Sequence, residues 1–336
     1  MKAMILPRVV SLEETENPLS QVDLPKPTPS NDEILIQVST CGVCHTELDE
    51  IEGRVLPPKM PIVLGHQVVG RVIGRGTKVT RHAIGNRVGA GWIHDSTGEE
   101  DENLSEYFRA TGCDVNGGYA EYMTIGENYA YPIPDVFSDE AAAPLLCGGA
   151  IGYRALRLCN LKDGDRLGLM GFGGSAHIVI QLVSHLYPQT EVYVFARHSA
   201  TRSFAKELGA CWTGSVDDPS PKKLHGIRDT TPAWRPVVQS MANLRPGGRL
   251  VVNAIRKEDR DKSELLKLSY HHHLWMEREI KTVANITRHD IEAFLPIAAE
   301  IPIKTTTKAY PLEAANQALM DLKRGYVKGT AVLRIS

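Results

Sequence analysis

Residues 166 to 196 constrain the fold more than any other stretch, because they read in order as strand, glycine turn, helix and strand. Arg166-Leu167-Gly168-Leu169-Met170 is short and apolar, His177 to Leu186 has helical spacing, and Glu191 to Ala196 is a second strand. Consecutive strands joined through a helix lie parallel, so this order predicts a doubly wound parallel sheet. The turn between them, Gly171-Phe172-Gly173-Gly174-Ser175-Ala176, fits the G-x-G-x-x-G/A pattern. In such a turn the first glycine permits the tight bend and the second lets backbone approach a pyrophosphate. A small final residue, here Ala176, lets helix and strand pack closely. The helix beyond offers unpaired N–H groups and a positive dipole end. Alone, the pattern describes an ordinary glycine turn. Inside a βαβ unit it predicts a dinucleotide site at Gly171, Gly173, Gly174, Ser175 and Ala176.

The carboxylate that binds the ribose 2′-hydroxyl of NAD(H) usually lies about 20 residues on, at the end of the second strand. Here that place holds Ala196, followed by Arg197 and His198, with Arg202 close behind. Loss of the carboxylate removes its repulsion of a 2′-phosphate, and guanidinium groups bind phosphate well. NADP(H) is therefore expected over NAD(H), through Arg197 and Arg202. The plainer alternative leaves both arginines as solvated loop charges.

Elsewhere the texture differs. Residues 1 to about 150 read as short strands broken by turns, with alternation in Glu33-Ile34-Leu35-Ile36-Gln37-Val38 and glycines punctuating Gly65 to Gly91. That pattern predicts a β-rich barrel. Helical spacing sets in at Ala150 to Leu156 and returns at Ser203 to Leu208. Further on, the turn Arg245-Pro246-Gly247-Gly248-Arg249 leads into the strand Leu250-Val251-Val252. The C-terminal piece carries an amphipathic helix around Leu312 to Leu322 and a final strand, Ala331 to Ile335. A net charge of −2 with no basic run leaves no electrostatic footprint for nucleic acid. No apolar run approaches the ~18 residues of a membrane span. The N-terminal MKAMILPRVV turns polar too soon for a signal peptide, so a cytoplasmic location is expected. Cys41, Cys44, Cys113, Cys147, Cys159 and Cys211 are too sparse for a disulfide framework; such thiols are more often buried, metal-bound or reactive.

Cys41-Gly42-Val43-Cys44 is a C-x-x-C, yet no second ligand pair follows at zinc-finger spacing, and its β-rich surroundings do not suit a thioredoxin-like site. A wider pattern explains it better. Cys41-Gly42-Val43-Cys44-His45-Thr46-Glu47, Gly65-His66-Gln67-Val68-Val69-Gly70, Gly117-Gly118-Tyr119-Ala120-Glu121-Tyr122 and Pro144-Leu145-Leu146-Cys147-Gly148-Gly149 occur in that order. Together with the glycine-rich turn and the terminal Gly329-Thr330-Ala331-Val332-Leu333, the chain resembles the zinc-dependent alcohol dehydrogenases of the medium-chain dehydrogenase/reductase superfamily over nearly its whole length. The resemblance implies an α/β architecture with two domains. A GroES-like β-barrel catalytic domain would span 1–149 and 288–336, and a Rossmann dinucleotide-binding domain 150–287. It also implies one catalytic zinc per chain, held by Cys44, His66 and Cys147, with the fourth position open to substrate or water. Thr46 matches the hydroxyl that takes the substrate proton, Glu47 the carboxylate that orients His66, and His45 a position that touches the cofactor pyrophosphate. Relatives are dimers or tetramers, so a homo-oligomer is expected.

The chain also departs from that pattern. Where many relatives carry four cysteines around a second zinc, Asp95 to Ser105 contains none, so that metal is expected to be lost. Gln67 stands where a glutamate usually follows the ligand histidine, and Asp49 where the proton-relay histidine usually stands. Trp92 matches a substrate-lining position. Cys41, Cys159 and Cys211 read as buried thiols, and His271-His272-His273 as a loop or helix face. Two rivals remain: a metal-free quinone or enoyl reductase on the same scaffold, and a non-catalytic dinucleotide-binding protein.

Overall fold

A computed structural model describes residues 1–336, which divide into two units, 1–150 with 285–336 and 151–284. In the first unit the long strand Glu33–Val43 sets the pattern. Ile34, Ile36 and Val38 alternate onto one face and are fully buried. The strand pairs antiparallel with Val68–Arg75 on one side and Thr330–Arg334 on the other, and along its N-terminal half with Tyr122–Gly126. Its sheet runs Ala130–Pro132, Arg87–Ala90, Val68–Arg75, Glu33–Val43, Thr330–Arg334, Thr307–Pro311. Leu6, Ile62, Val72, Val88, Tyr119 and Leu319 fill the core beneath it. The register Leu333 opposite Cys41 and Val332 opposite Gly42 brings the chain's last strand beside the segment that starts the C-x-x-C.

The second unit is a six-stranded sheet in the order Trp212–Gly214, Glu191–Phe195, Arg166–Met170, Leu224–Asp229, Leu244–Val252, Glu279–Thr282. Every neighbouring pair is parallel. The helix Ala176–Leu186 crosses over between Arg166–Met170 and Glu191–Phe195, as the strand-turn-helix-strand reading requires. Helix Ser199–Glu207 starts earlier than the apolar spacing predicts, and the amphipathic run from Leu312 opens with a 3₁₀ turn, Leu312–Ala314, before the helix Ala315–Lys323.

Strand Leu224–Asp229 sits at the centre of the sheet, yet its last two residues are charged and fully buried. Cys211 differs from expectation. Cys41 and Cys159 are buried, but Cys211 is exposed, its thiol bonding the Val192 carbonyl at 3.1 Å. His271-His272-His273 lies in a short π-helical turn, Tyr270–Leu274, with His273 buried against Ser269 and its neighbours exposed. No helix is long and apolar enough to cross a membrane.

A candidate metal centre in the first unit

Cys44 directly follows the long strand Glu33–Val43 and caps the helix His45–Ile51. Glu47 lies in the first turn of that helix, and its Oε2 accepts from the Cys44 N–H at 2.8 Å. Its other oxygen, Oε1, is 2.7 Å from His66 Nδ1. One buried carboxylate thus fixes two of the three expected ligand residues. His66 follows Gly65, whose φ of +96° favours glycine and where an added Cβ would lie 2.3 Å from the Tyr119 ring. This left-handed kink lets the chain turn between Ile62–Val63 and Val68–Arg75. Cys147 follows the 3₁₀ turn Ala143–Leu146 and precedes the helix Gly148–Leu158.

The ligand atoms of Cys44, His66 and Cys147 lie within 4.8 Å of one another. His66 Nε2 is 3.3 Å from Cys147 Sγ. A tetrahedral zinc at about 2.3 Å from sulfur and about 2.0–2.1 Å from nitrogen needs ligand atoms roughly 3.5–3.8 Å apart. The two thiols and one imidazole fit such an ion in number and chemistry, and their separations, 3.3 Å for one pair and none above 4.8 Å, bracket that spacing. With Glu47 on Nδ1, the ring presents Nε2 to the sulfurs, the orientation a metal-ligating histidine requires.

Charge is concentrated here. The Cys147 thiol hydrogen-bonds toward Cys44 and, with His66, draws the Cys44 pKa well below the usual thiol value against the opposing effect of burial. The same contact, with burial, pushes Cys147 well up. Burial alone would lower His66, but the Glu47 carboxylate and Cys44 raise it instead. Burial raises Glu47 and, together with the Glu47 charge, holds Glu50 well above the ordinary carboxylate range.

The other expected residues of this unit divide. Thr46 Oγ1 is 3.6 Å from Cys44 Sγ, at the edge of the trio. Trp92 is buried edge-on to His66, ring centroids 4.8 Å apart. Asp49 is buried but paired with Arg54 Nε at 2.6 Å, and His45 is exposed at the helix start. Gln67 is buried, its amide over the Gly42 backbone, where an added Cβ would come within 2.8 Å. Glu50 was not foreseen; it is fully buried and neither carboxylate oxygen accepts a hydrogen bond. Its signal in sequence is faint, since the helix face that carries it is acidic throughout.

In the second unit Gly171 has φ +88°, and an added Cβ would lie 2.7 Å from Thr230 Oγ1. At Gly173 an added Cβ would meet nothing within 4 Å, so the backbone stands open to an approaching group. Ser175 and Ala176 begin the helix, with Ala176 buried. Open backbone at Gly173, just before the start of a helix, fits a dinucleotide's phosphates. Arg202 Nη1 donates to the Ala196 and Arg197 carbonyls at 2.8 Å each, while Arg197 is exposed. The two arginines therefore differ in freedom, which their spacing alone did not reveal.

Residues 30–135 match the alcohol dehydrogenase GroES-like domain family. The chain is 39% identical over 329 residues to a probable alcohol dehydrogenase, AdhA, of Mycobacterium tuberculosis (strain CDC 1551 / Oshkosh), covering 95% of this chain and 93% of that one. It is 30% identical over 341 residues to an alcohol dehydrogenase of Geobacillus stearothermophilus, covering 96% and 98%. The solved structure of a cobalt and zinc bound thermostable alcohol dehydrogenase from Pyrobaculum aerophilum shares the fold, with a TM-score of 0.87 at 22% identity over 99% of each chain.

Proposed function

This chain belongs to the zinc-type alcohol dehydrogenases of the medium-chain dehydrogenase/reductase superfamily, and from that premise we propose that Cys44, His66 and Cys147 hold one catalytic zinc and that the glycine-rich turn holds a nicotinamide dinucleotide. It is an oxidoreductase whose substrates are small alcohols or aldehydes. The observation that carries the metal reading is the convergence of the three ligand atoms within 4.8 Å, with Glu47 on the imidazole.

When bound, zinc supplies Lewis acidity toward the substrate oxygen, and the dinucleotide accepts or donates the hydride. The protein's part is placement. Cys44 and Cys147 as thiolates, with neutral His66, would hold the metal, balance its charge and leave room for a substrate oxygen. Glu47 keeps the imidazole in the tautomer that offers Nε2. The Thr46 hydroxyl, beside Cys44, takes the proton that leaves the alcohol. Asp49 is the next acceptor in the expected relay, and its pairing with Arg54 competes with that role. His45, exposed one residue beyond Cys44, is assigned to the cofactor pyrophosphate. Ala196 in place of an acid and the exposed Arg197 support NADP(H); Arg202 contributes through the donors that its two carbonyl contacts leave over.

A homo-oligomer is proposed for the same chain. The edge strand Glu279–Thr282 is exposed at all four residues, with Trp275 and Met276 half-exposed just before it, which suits pairing with a second copy. One experiment tests the core reading: elemental analysis together with turnover of an alcohol and aldehyde panel on both cofactors. Zinc near one per chain with turnover is expected. Turnover without bound metal points to the metal-free reductase, and cofactor binding without turnover points to the non-catalytic protein. Arg197→Ala should raise the Michaelis constant for NADP(H) about ten- to a hundredfold, the range of one lost charge-assisted bond, and leave NAD(H) nearly unchanged. Equal effects on both cofactors would reduce Arg197 to a solvated charge.

A further inference from the structure

Arg228 is a charged residue in the central strand of a parallel sheet, only 1% exposed. Its Nη2 donates to Ser175 Oγ in the glycine-rich turn at 2.6 Å and to Asn253 Oδ1 at 2.7 Å, and its Nε donates to the same Asn253 oxygen at 2.9 Å. Its Nη1 has no partner. Burial lowers its pKa to about 10, so it remains a cation at neutral pH. The neighbouring Asp229 charge helps to keep it ionised, but no carboxylate is paired with it directly. The adjacent acid, Asp229, is taken by Lys257, whose Nζ is 2.5 Å from Oδ2, and by Thr231, whose N–H and hydroxyl bond Oδ1.

A buried charge with no directly paired counter-ion and an unfilled donor is costly, and is retained where something outside the chain completes it. The surroundings say what that is. Arg228 is tied to Ser175, at the start of the helix Ala176–Leu186, two residues past Gly173, where the backbone stands open. Gly152 draws close on the same side; an added Cβ would lie 3.0 Å from Ser175 Oγ and 3.9 Å from Arg228 Nη2. The one group in the proposed chemistry that is anionic and sits on such a turn is a dinucleotide's pyrophosphate.

We propose that Arg228 is the buried counter-charge of the cofactor pyrophosphate, a positioning residue that acts by its charge beneath the turn and, in part, through the Ser175 hydroxyl it holds. The proposal rests on the dinucleotide reading above. It makes the site's affinity depend on a residue one strand away from the glycine motif, and it predicts that the apo protein gains stability when the charge is removed.

The test uses the full-length, zinc-loaded protein and two ligands, ADP-ribose, which carries the pyrophosphate, and adenosine, which does not, the latter measured by competition. Arg228→Met should weaken ADP-ribose about ten- to a hundredfold, the range for a lost charge-assisted contact, and leave adenosine within about twofold. It should also flatten the salt dependence of ADP-ribose binding and leave the apo melting temperature equal to or above that of the wild type. Arg228→Lys should recover part of the ADP-ribose affinity. Equal weakening of both ligands, or unchanged ADP-ribose binding, overturns the proposal. Should Arg228→Met not fold, Ser175→Ala carries the test, with about a two- to tenfold loss for ADP-ribose alone expected and no change refuting it. A wild-type protein that binds neither ADP-ribose nor NADPH overturns the cofactor reading itself, an outcome distinct from selective failure of the variants.

Discussion

Two buried glutamates in the first unit, Glu102 and Glu50, are both at 0% exposure and have opposite surroundings. Glu102 lies in the lobe where many relatives would carry cysteines. Its Oε2 accepts from the Tyr129 hydroxyl at 2.8 Å, and its Oε1 from the Arg288 N–H at 2.5 Å. Ser96 Oγ bonds the Glu102 carbonyl, its N–H bonds the Tyr129 hydroxyl, and Arg288 Nη2 reaches the Gly98 carbonyl at 2.9 Å. These hydrogen bonds satisfy both Glu102 oxygens and tie this lobe together, with Arg288 Nε a donor left over. Glu50, on the helix that starts beside Cys44, has neither oxygen satisfied, although the Cys113 thiol is close by. Trp92 Nε1 and the Tyr119 hydroxyl are likewise buried without partners. Satisfied buried charge marks a place built to hold still, whereas unsatisfied buried polarity gathers where the chain is arranged for something other than its own stability.

That contrast can be broken by substitution. His66→Ala should abolish zinc retention and cut turnover by roughly a thousandfold or more, since Lewis acidity is worth several kcal/mol and each 1.36 kcal/mol is tenfold. Retained turnover in a zinc-free preparation would end the metal reading. Glu102→Ala should destabilise the first unit by about 3–6 kcal/mol, the sum of two bonds to a charged acceptor. Denaturant unfolding checks this, and zinc content and turnover per folded molecule should stay unchanged. A loss of zinc in that variant would mean that the two regions are not independent.

Smaller effects sharpen the comparison. Glu47→Gln should lower zinc affinity about ten- to a hundredfold, read by chelator competition, because the imidazole loses its orienting carboxylate. Glu50→Met should stabilise the protein by about 1–2 kcal/mol at neutral pH, the penalty of an unsatisfied buried group removed. The sign with pH follows from the raised carboxyl. Below its unfolded pKa of about 4.3 the group is protonated in both states and carries no charge penalty. As pH rises toward the higher folded value, the unfolded chain ionises first and the native state is progressively disfavoured. The gain from Glu50→Met should therefore shrink on acidification. A gain that is flat with pH, or a loss, would show that Glu50 has a partner.

The sequence made the larger parts of the molecule readable and left the buried exceptions hidden. The βαβ unit could be placed because strand, turn and helix each carried its own signal and all three agreed, from Arg166 to Phe195. The trio was visible only as an ordered set, since Cys147 alone is indistinguishable from a small core residue. Strand Leu224–Asp229 escaped because Arg228 and Asp229 break the apolar run that identifies a central strand, and their compensation lies at Ser175, Asn253 and Lys257, far along the chain. The solvent exposure of Cys211 and the tying of Arg202 to two carbonyls are likewise tertiary facts with no local signature. The lobe's cysteines were plainly missing, but Glu102, Tyr129 and Arg288 are spread over 187 positions, and nothing in their spacing announces a network.

The pairing of Thr330–Arg334 with Glu33–Val43 has a consequence in time. All three proposed zinc ligands have been synthesised once Cys147 is made, yet the strand that flanks Cys41 to Val43 arrives only with Thr330 to Arg334. At about 5–20 residues per second, that interval is roughly 10–40 s on a ribosome. The sheet behind the metal ligands waits, two strands short, while residues 151–284, contiguous in the chain, can finish folding first. The backing of the trio thus waits on residues 330–334, and a variant truncated before Thr330 would keep every ligand yet lack the strand that backs them.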